Sequence, residues 1–118
     1  IMSAGYHHFI IEQGATFGQT LTLKDSSDTL INLTGYASAE MDLRETPESS
    51  STVATLTTAN GRISLGGSAG TVTLTISATD TANLTAGDGV YDLEIVDGNS
   101  RVYRILEGTY AIRRNISR

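Results

Sequence analysis

Two adjacent histidines, His7 and His8, are the only imidazoles in the chain. Neighbouring residues of a strand point to opposite faces, so the pair does not close on one ion as His-x-His does. A metal held there needs a ligand from a symmetry mate or another protein. Carboxylates are the next candidates. Glu40/Asp42 and Asp92/Glu94 are i, i+2 pairs, a spacing that sets two carboxylates on one strand face about 7 Å apart. That spacing suits a glycosidase acid and base; on the wet face of a Thr-rich sheet it means solvation. Further acids gather at Glu45/Glu48. The turns Asp25-Ser26-Ser27-Asp28 and Asp97-Gly98-Asn99 are acidic but fall short of the ligand count of a calcium loop. Asn32-Leu33-Thr34, Asn83-Leu84-Thr85 and Asn115-Ile116-Ser117 match the N-glycosylation pattern, which a Thr-rich chain produces by chance. Gly66-Gly67-Ser68-Ala69-Gly70 lacks the Lys and following helix of a phosphate cradle. No Ser-His-Asp context or dinucleotide fingerprint occurs in the sequence. The expectation is a protein that is not an enzyme and uses no metal or cofactor.

These residues must be positioned by strands. Val72, Leu74 and Ile76 alternate with Thr71, Thr73, Thr75 and Ser77, and Tyr91, Leu93 and Ile95 alternate with Asp92 and Glu94. Alternation of this kind marks a half-buried strand. Tyr6 to Glu12, Thr16 to Leu23, Tyr36 to Arg44 (with one irregularity), Thr52 to Leu56 and Ile63 to Leu65 read the same way. Leu30 to Leu33 is a short strand or a bridge. Arg101 to Leu106 returns from a hairpin at Asp97 to Ser100 and continues to Ile112 after Gly108. Gln13-Gly14-Ala15 is a turn or bulge, and Asn60-Gly61 a tight turn that needs positive φ. Thr46 to Ser51, with the only Pro, is a loop. One helical turn fits at Asp80 to Leu84, capped by Thr79 or Asp80. Turn signals recur every eight to twelve residues or so, the spacing of an all-β sandwich.

Composition agrees. The 118 residues include no Cys and no Trp, so disulfides and thiolate metal sites are excluded. A chain of this length is one domain, residues 1–118, with 1–5 and 113–118 as flexible or partner-bound termini. The net charge of −5 opposes nucleic-acid binding. Yet Arg101, Arg104, Arg113, Arg114 and Arg118 crowd the C-terminal segment against Glu107 alone. That asymmetry suits either attraction between copies or outward arginines on edge strands. The apolar runs are too short for a transmembrane helix, and the N-terminal residues lack the regions of a secretory signal. The expectation is a protein neither membrane-embedded nor secreted by that route.

Leu84, Asp88, Gly89 and Tyr91 partly match the tyrosine corner of immunoglobulin-like sandwiches, with Leu93 where antibody domains carry a cysteine. Asp88 directly precedes Gly89, a departure that leaves Tyr91 open to being a plain interior strand residue. Several blocks in order carry a wider resemblance: Phe9-Ile10-Ile11-Glu12-Gln13-Gly14-Ala15-Thr16-Phe17, Thr20 to Leu23, Ile31-Asn32-Leu33-Thr34-Gly35-Tyr36, Gly61-Arg62-Ile63, Ile76 to Ala82, Val90 to Glu94 and Arg104-Ile105-Leu106-Glu107-Gly108. In this order the chain resembles the small immunoglobulin-like β-sandwich structural proteins of tailed bacteriophages, in particular the N-terminal domains of baseplate upper and tail-fibre-attachment proteins.

The resemblance implies an all-β, immunoglobulin-like antiparallel sandwich of about seven to nine short strands. It implies a virion structural protein in the tail, baseplate or fibre region, assembled in the host cytoplasm without a cofactor. Its partners would be other virion proteins in multiple symmetric copies, with neither nucleic acid nor membrane. A capsid decoration protein and a host-surface carbohydrate-binding module are the alternatives; the latter would use exposed aromatics, for which Tyr6, Tyr36, Tyr103 and Tyr110 are the candidates. For the partner interface the termini are expected to serve: Tyr6, His7, His8, Arg113, Arg114 and Ile116.

Overall fold

The alternating stretches become strands because each buries its apolar side and hydrates its polar side. In a computed structural model, which describes residues 5–24 and 27–115, the strands are β1 (Gly5–Glu12), β2 (Phe17–Thr22), β3 (Tyr36–Arg44), β4 (Ala54–Thr57), β5 (Ile63–Leu65), β6 (Thr71–Ile76), β7 (Gly87–Asp97) and β8 (Val102–Arg113). A single turn of helix, α1 (Ala78–Ala82), joins β6 to β7. The strands form two sheets, one ordered β1-β8-β7-β3-β4 and the other β2-β6-β5. Placing β2, β5 and β6 opposite β3, β7 and β8 is the partition of an immunoglobulin-like sandwich. The expected fold class is correct.

One pairing departs from the expected antiparallel scheme. β1 runs parallel to β8, from Gly5 opposite Leu106 to Glu12 opposite Arg113, while the other pairs are antiparallel. After Glu12 the chain turns through Gly14 (φ 80°) and enters the opposite sheet as β2. That crossing fixes the direction of β1, which lies along β8 in the same sense.

The core sits between the two inner faces. Phe9, Ile11, Met41, Leu43, Leu56, Leu93, Ile95 and Ile112 face Phe17, Ile63, Val72, Leu74 and Ile76, all of them buried. Each fully buried Leu, Ile or Phe contributes roughly 1.5–3 kcal/mol relative to exposure. The irregularity read in β3 is a bulge between Tyr36 and Ser38.

Local corrections follow from side-chain chemistry. α1 starts at Ala78, with Ser77 as its cap rather than Thr79 or Asp80; the Ser77 hydroxyl accepts from the Asp80 N–H at 3.2 Å. Of the two forms expected at Leu30 to Leu33, the bridge is the one present, from Leu30 to Lys24. β8 runs unbroken through Gly108, and its irregularity lies earlier: Leu93 faces Leu106 and Glu94 faces Arg104, leaving Ile105 as a bulge that enters the core. Asn60 and Gly61 (φ 79°) form the expected turn, and Asn60 Oδ1 accepts from the Thr57 and Arg62 N–H groups.

Candidate interaction surface

β1 is an edge strand, and its backbone directions follow from two hydrogen bonds. The Tyr91 hydroxyl donates to the His7 carbonyl at 2.9 Å, and the Gln13 N–H donates to the Arg113 carbonyl at 3.0 Å. Both groups face the sheet. Since strand residues alternate in direction, His7, Phe9 and Ile11 turn their backbone groups to β8, and Tyr6, His8 and Ile10 turn theirs to the open side. The side chains of Tyr6, His8 and Ile10 lie on the outer face of the sheet. Tyr6 is 73% exposed and Ile10 43% exposed. His8 Nδ1 lies 2.6 Å from the Thr109 hydroxyl, which steadies the ring. Glu12 is the only formally charged residue among the eight of this strand.

A close backbone approach fastens β1. A Cβ on Gly108 would collide with the His7 carbonyl oxygen, so only glycine fits between the strands there. Tyr91 sits opposite Gly108, and its ring packs on Phe9 at 5.0 Å between centroids. Burial pushes the Tyr91 hydroxyl well above its ordinary pKa, with the Tyr6 hydroxyl adding to the shift. The tyrosine corner is therefore only half formed. Tyr91 stands two residues before Leu93, as the motif asks, but its hydroxyl binds a strand across the sheet instead of the preceding loop. Beyond β1, Gln13 Nε2 donates to the Leu84 carbonyl at 2.7 Å, and its Oε1 accepts from the Asn115 N–H at 3.1 Å. Thr81, the buried polar residue of α1, accepts from the Gly14 N–H and donates to the Ala15 carbonyl.

The outer face of the same sheet holds a groove of about 460 Å³ between Tyr6 and Pro47, floored by Val90 and Thr109. Arg44 pairs with Asp42 at 3.6 Å, and Arg104 pairs with Asp92 at 3.3 Å and Glu107 at 3.6 Å. In the groove wall and next to it, β3 and β7 set like charges opposite each other, Asp42 against Asp92 and Glu40 against Glu94. Directly opposed like charges destabilise a sheet. With the carboxyls ionised, Asp42 Oδ1 is buried without a donor; a protonated Glu40 supplies one to the Asp42 carboxylate. That hydrogen bond, reinforced by the Asp42 charge, holds the Glu40 carboxyl above its ordinary pKa. The pair thus interacts more closely than its spacing along the strand suggests.

The two terminal stretches expected to serve the partner interface take different places along β1. Tyr6, His7 and His8 face Glu107, Gly108 and Thr109, whereas Arg113 faces Glu12, about 13 Å further along the strand than His8. Parallel pairing sends the two stretches to opposite ends of β1. Arg114 follows β8 as an exposed residue, and Ile116 lies outside the described residues. His7 and His8 diverge as expected: His7 edges the Phe9 ring at 4.6 Å, while His8 joins Thr109 on the outer face.

The remaining candidates serve local structure. Tyr36 and Tyr103 form an edge-to-face pair and Tyr110 is buried, leaving Tyr6 as the exposed aromatic among the four. Asp97 Oδ1 accepts from the Asn99 and Arg101 N–H groups, which holds its carboxyl below the usual range. Asp28 pairs with Lys24 at 3.5 Å, and Asp25-Ser26 lies outside the described residues. Asn32 caps the Thr34 N–H, and Asn83 Nδ2 donates to the Thr79 carbonyl. Among the described residues no cluster of three or more His, Asp or Glu forms a metal site. Gln13, Arg62 and Thr81 were not singled out by the sequence, although Arg62 binds both Asp80 (2.9 Å) and the Thr55 carbonyl (3.0 Å). Their partners are remote in the chain, which leaves no local pattern.

No protein-family model matches the chain, and no curated protein matches it in sequence, so the function is argued from these surfaces.

Proposed function

We propose that the protein is a non-enzymatic structural module of a tailed-phage virion, an assembly or attachment unit of the tail, baseplate or fibre region. The observation that carries this reading is the β1 edge. Tyr6 and Ile10 hold apolar area in water beside open backbone groups, on a strand fixed by Gly108, Tyr91 and Gln13. Long open edges pair readily with other chains, and native proteins ordinarily blunt them. Here the edges at β4 and β5 are only four and three residues long and that at β2 has six, while β1 has eight. A rigid sandwich with one adhesive strand suits repeated protein–protein contact in a symmetric particle assembled in the host cytoplasm. The order of sequence blocks supplies the phage context.

The test is mass spectrometry of purified particles followed by cryo-electron microscopy. The protein is expected in the tail or baseplate at the copy number of that region's symmetry. Hundreds of copies per particle would favour a capsid decoration protein, and absence from the virion would overturn the reading. A host-surface carbohydrate module is the second reading, favoured by the groove in which exposed Tyr6 stands near Asp42, Arg44 and Arg104. A glycan array without hits removes it.

A further inference from the structure

We infer that the open edge of β1 is a self-recognition site, at which a second copy pairs antiparallel about a two-fold axis at His8. The inference deepens the assembly reading and rests on it for the use of this edge. Three observations lead to it. First, Tyr6, His8 and Ile10 direct their N–H and C=O groups outward, as the His7 and Gln13 hydrogen bonds require. In an antiparallel pair, facing residues of this kind exchange two hydrogen bonds. An axis at His8 makes His8 face His8 of the second copy, and makes Tyr6 face Ile10 of the second copy in both directions.

Second, that register matches the apolar surface to itself. Tyr6 and Ile10 are exposed large apolar residues of the outer face, and the register sets each against the other across the seam. An aromatic opposite a β-branched residue is a favourable cross-strand pair. Third, the edge carries little charge. Among residues 5–11 none is formally charged, in a chain of net charge −5, so two copies meet without repulsion along the seam. An axis at Ile10 instead would leave Tyr6 opposite Gly14 of the second copy, beyond the strand. The five-stranded sheets of two copies then join into one continuous sheet, an isologous contact of the kind that closes as a dimer.

Sedimentation equilibrium across micromolar to millimolar concentrations tests this. Wild type is expected to dimerise, and Tyr6→Lys or Ile10→Lys to weaken the dimer at least about tenfold. The double variant Tyr6→Lys/Ile10→Glu is expected to restore it, because the axis at His8 sets Lys against Glu in both directions. An axis at Ile10 would instead set Glu against Glu and leave the variant monomeric. His8→Pro removes the outward N–H together with the exposed side-chain bond to Thr109, so it is expected to abolish the dimer with only a small fall in Tm. His8→Ala, lacking that same bond but keeping the N–H, is expected to match that fall while still dimerising. A wild-type monomer at millimolar concentration, a dimer indifferent to the Lys variants, or a double variant that stays monomeric overturns the inference. Absence from virions would leave this dimer intact, so that failure is separate.

Discussion

At β1 the residues that turn their backbone groups outward are Tyr6, His8 and Ile10. At β2, the other long edge, they are Gly18, Thr20 and Thr22. The direction at β2 follows from the Leu23 N–H, which donates to the Gly70 carbonyl at 2.8 Å, and from the register that sets Phe17 opposite Ile76. The two edges therefore offer the same rows of donors and acceptors at the same spacing. They differ in side chains. β2 presents glycine and small hydroxyls, and Thr20 lies 3.5 Å from the Thr73 hydroxyl of its own sheet. β1 presents an aromatic, an imidazole and a β-branched aliphatic. Open backbone alone gives an edge a directional but weak attraction, since water competes for each hydrogen bond. Apolar area beside it supplies a driving force that water does not oppose. The comparison assigns recognition to the five-stranded sheet and leaves the three-stranded sheet as a hydrated back.

Variants that break or sharpen this contrast fall in order of size. Gly108→Ala drives a methyl group into the His7 carbonyl and is expected to cost about 3 kcal/mol, read as a lower Tm with exchange protection lost along β1 and kept along β2. Gly18→Tyr/Thr22→Ile copies the spacing of Tyr6 and Ile10 onto β2, where a Cβ at Gly18 meets nothing within 4 Å. It is expected to add a second, concentration-dependent association at least about tenfold stronger than any at wild-type β2, seen by light scattering. Tyr91→Phe removes the hydroxyl bond to His7 and leaves that side's packing intact, for an expected loss of about 1 kcal/mol in chemical denaturation. Glu40→Gln has the smallest effect. The folded-state pKa of Glu40 is raised, so the stability it contributes is full below the ordinary carboxyl pKa and is lost as pH rises through the raised value. The variant is expected to exceed wild type by less than about 0.5 kcal/mol at neutral pH, and to match it in acid, since the site is mostly exposed.

Much of this architecture was legible in local pattern. Val72, Leu74 and Ile76, like Tyr91, Leu93 and Ile95, point inward as their alternation requires, and Asn60-Gly61 turns as its residue types demand. The β3 irregularity was visible because Tyr36, Ala39 and Met41 break a strict period of two. What was hidden depends on distant partners. Nothing near Gly5 to Glu12 tells that the strand lies parallel to residues 106–113, and that pairing places Tyr6 to His8 and Arg113 toward opposite ends of β1. The reason Gly108 is glycine stayed hidden because it is the His7 carbonyl, far away in the chain. Ser77 displaced the expected caps because the strand ends one residue before it, so its backbone was free to cap. At the candidate surface, Tyr6 was readable as an exposed aromatic candidate, but the outward direction of the backbone groups of Tyr6, His8 and Ile10 is set by Tyr91 and Arg113.

Residue-resolved amide hydrogen exchange of the purified protein, at low and high concentration, tests the difference between the two edges most directly. The amides of Tyr6, His8 and Ile10 are expected to gain protection as concentration rises, while those of Gly18, Thr20 and Thr22 stay unchanged. Concentration-independent exchange at β1, or protection appearing at β2 instead, would contradict the assignment of recognition to the β1 edge.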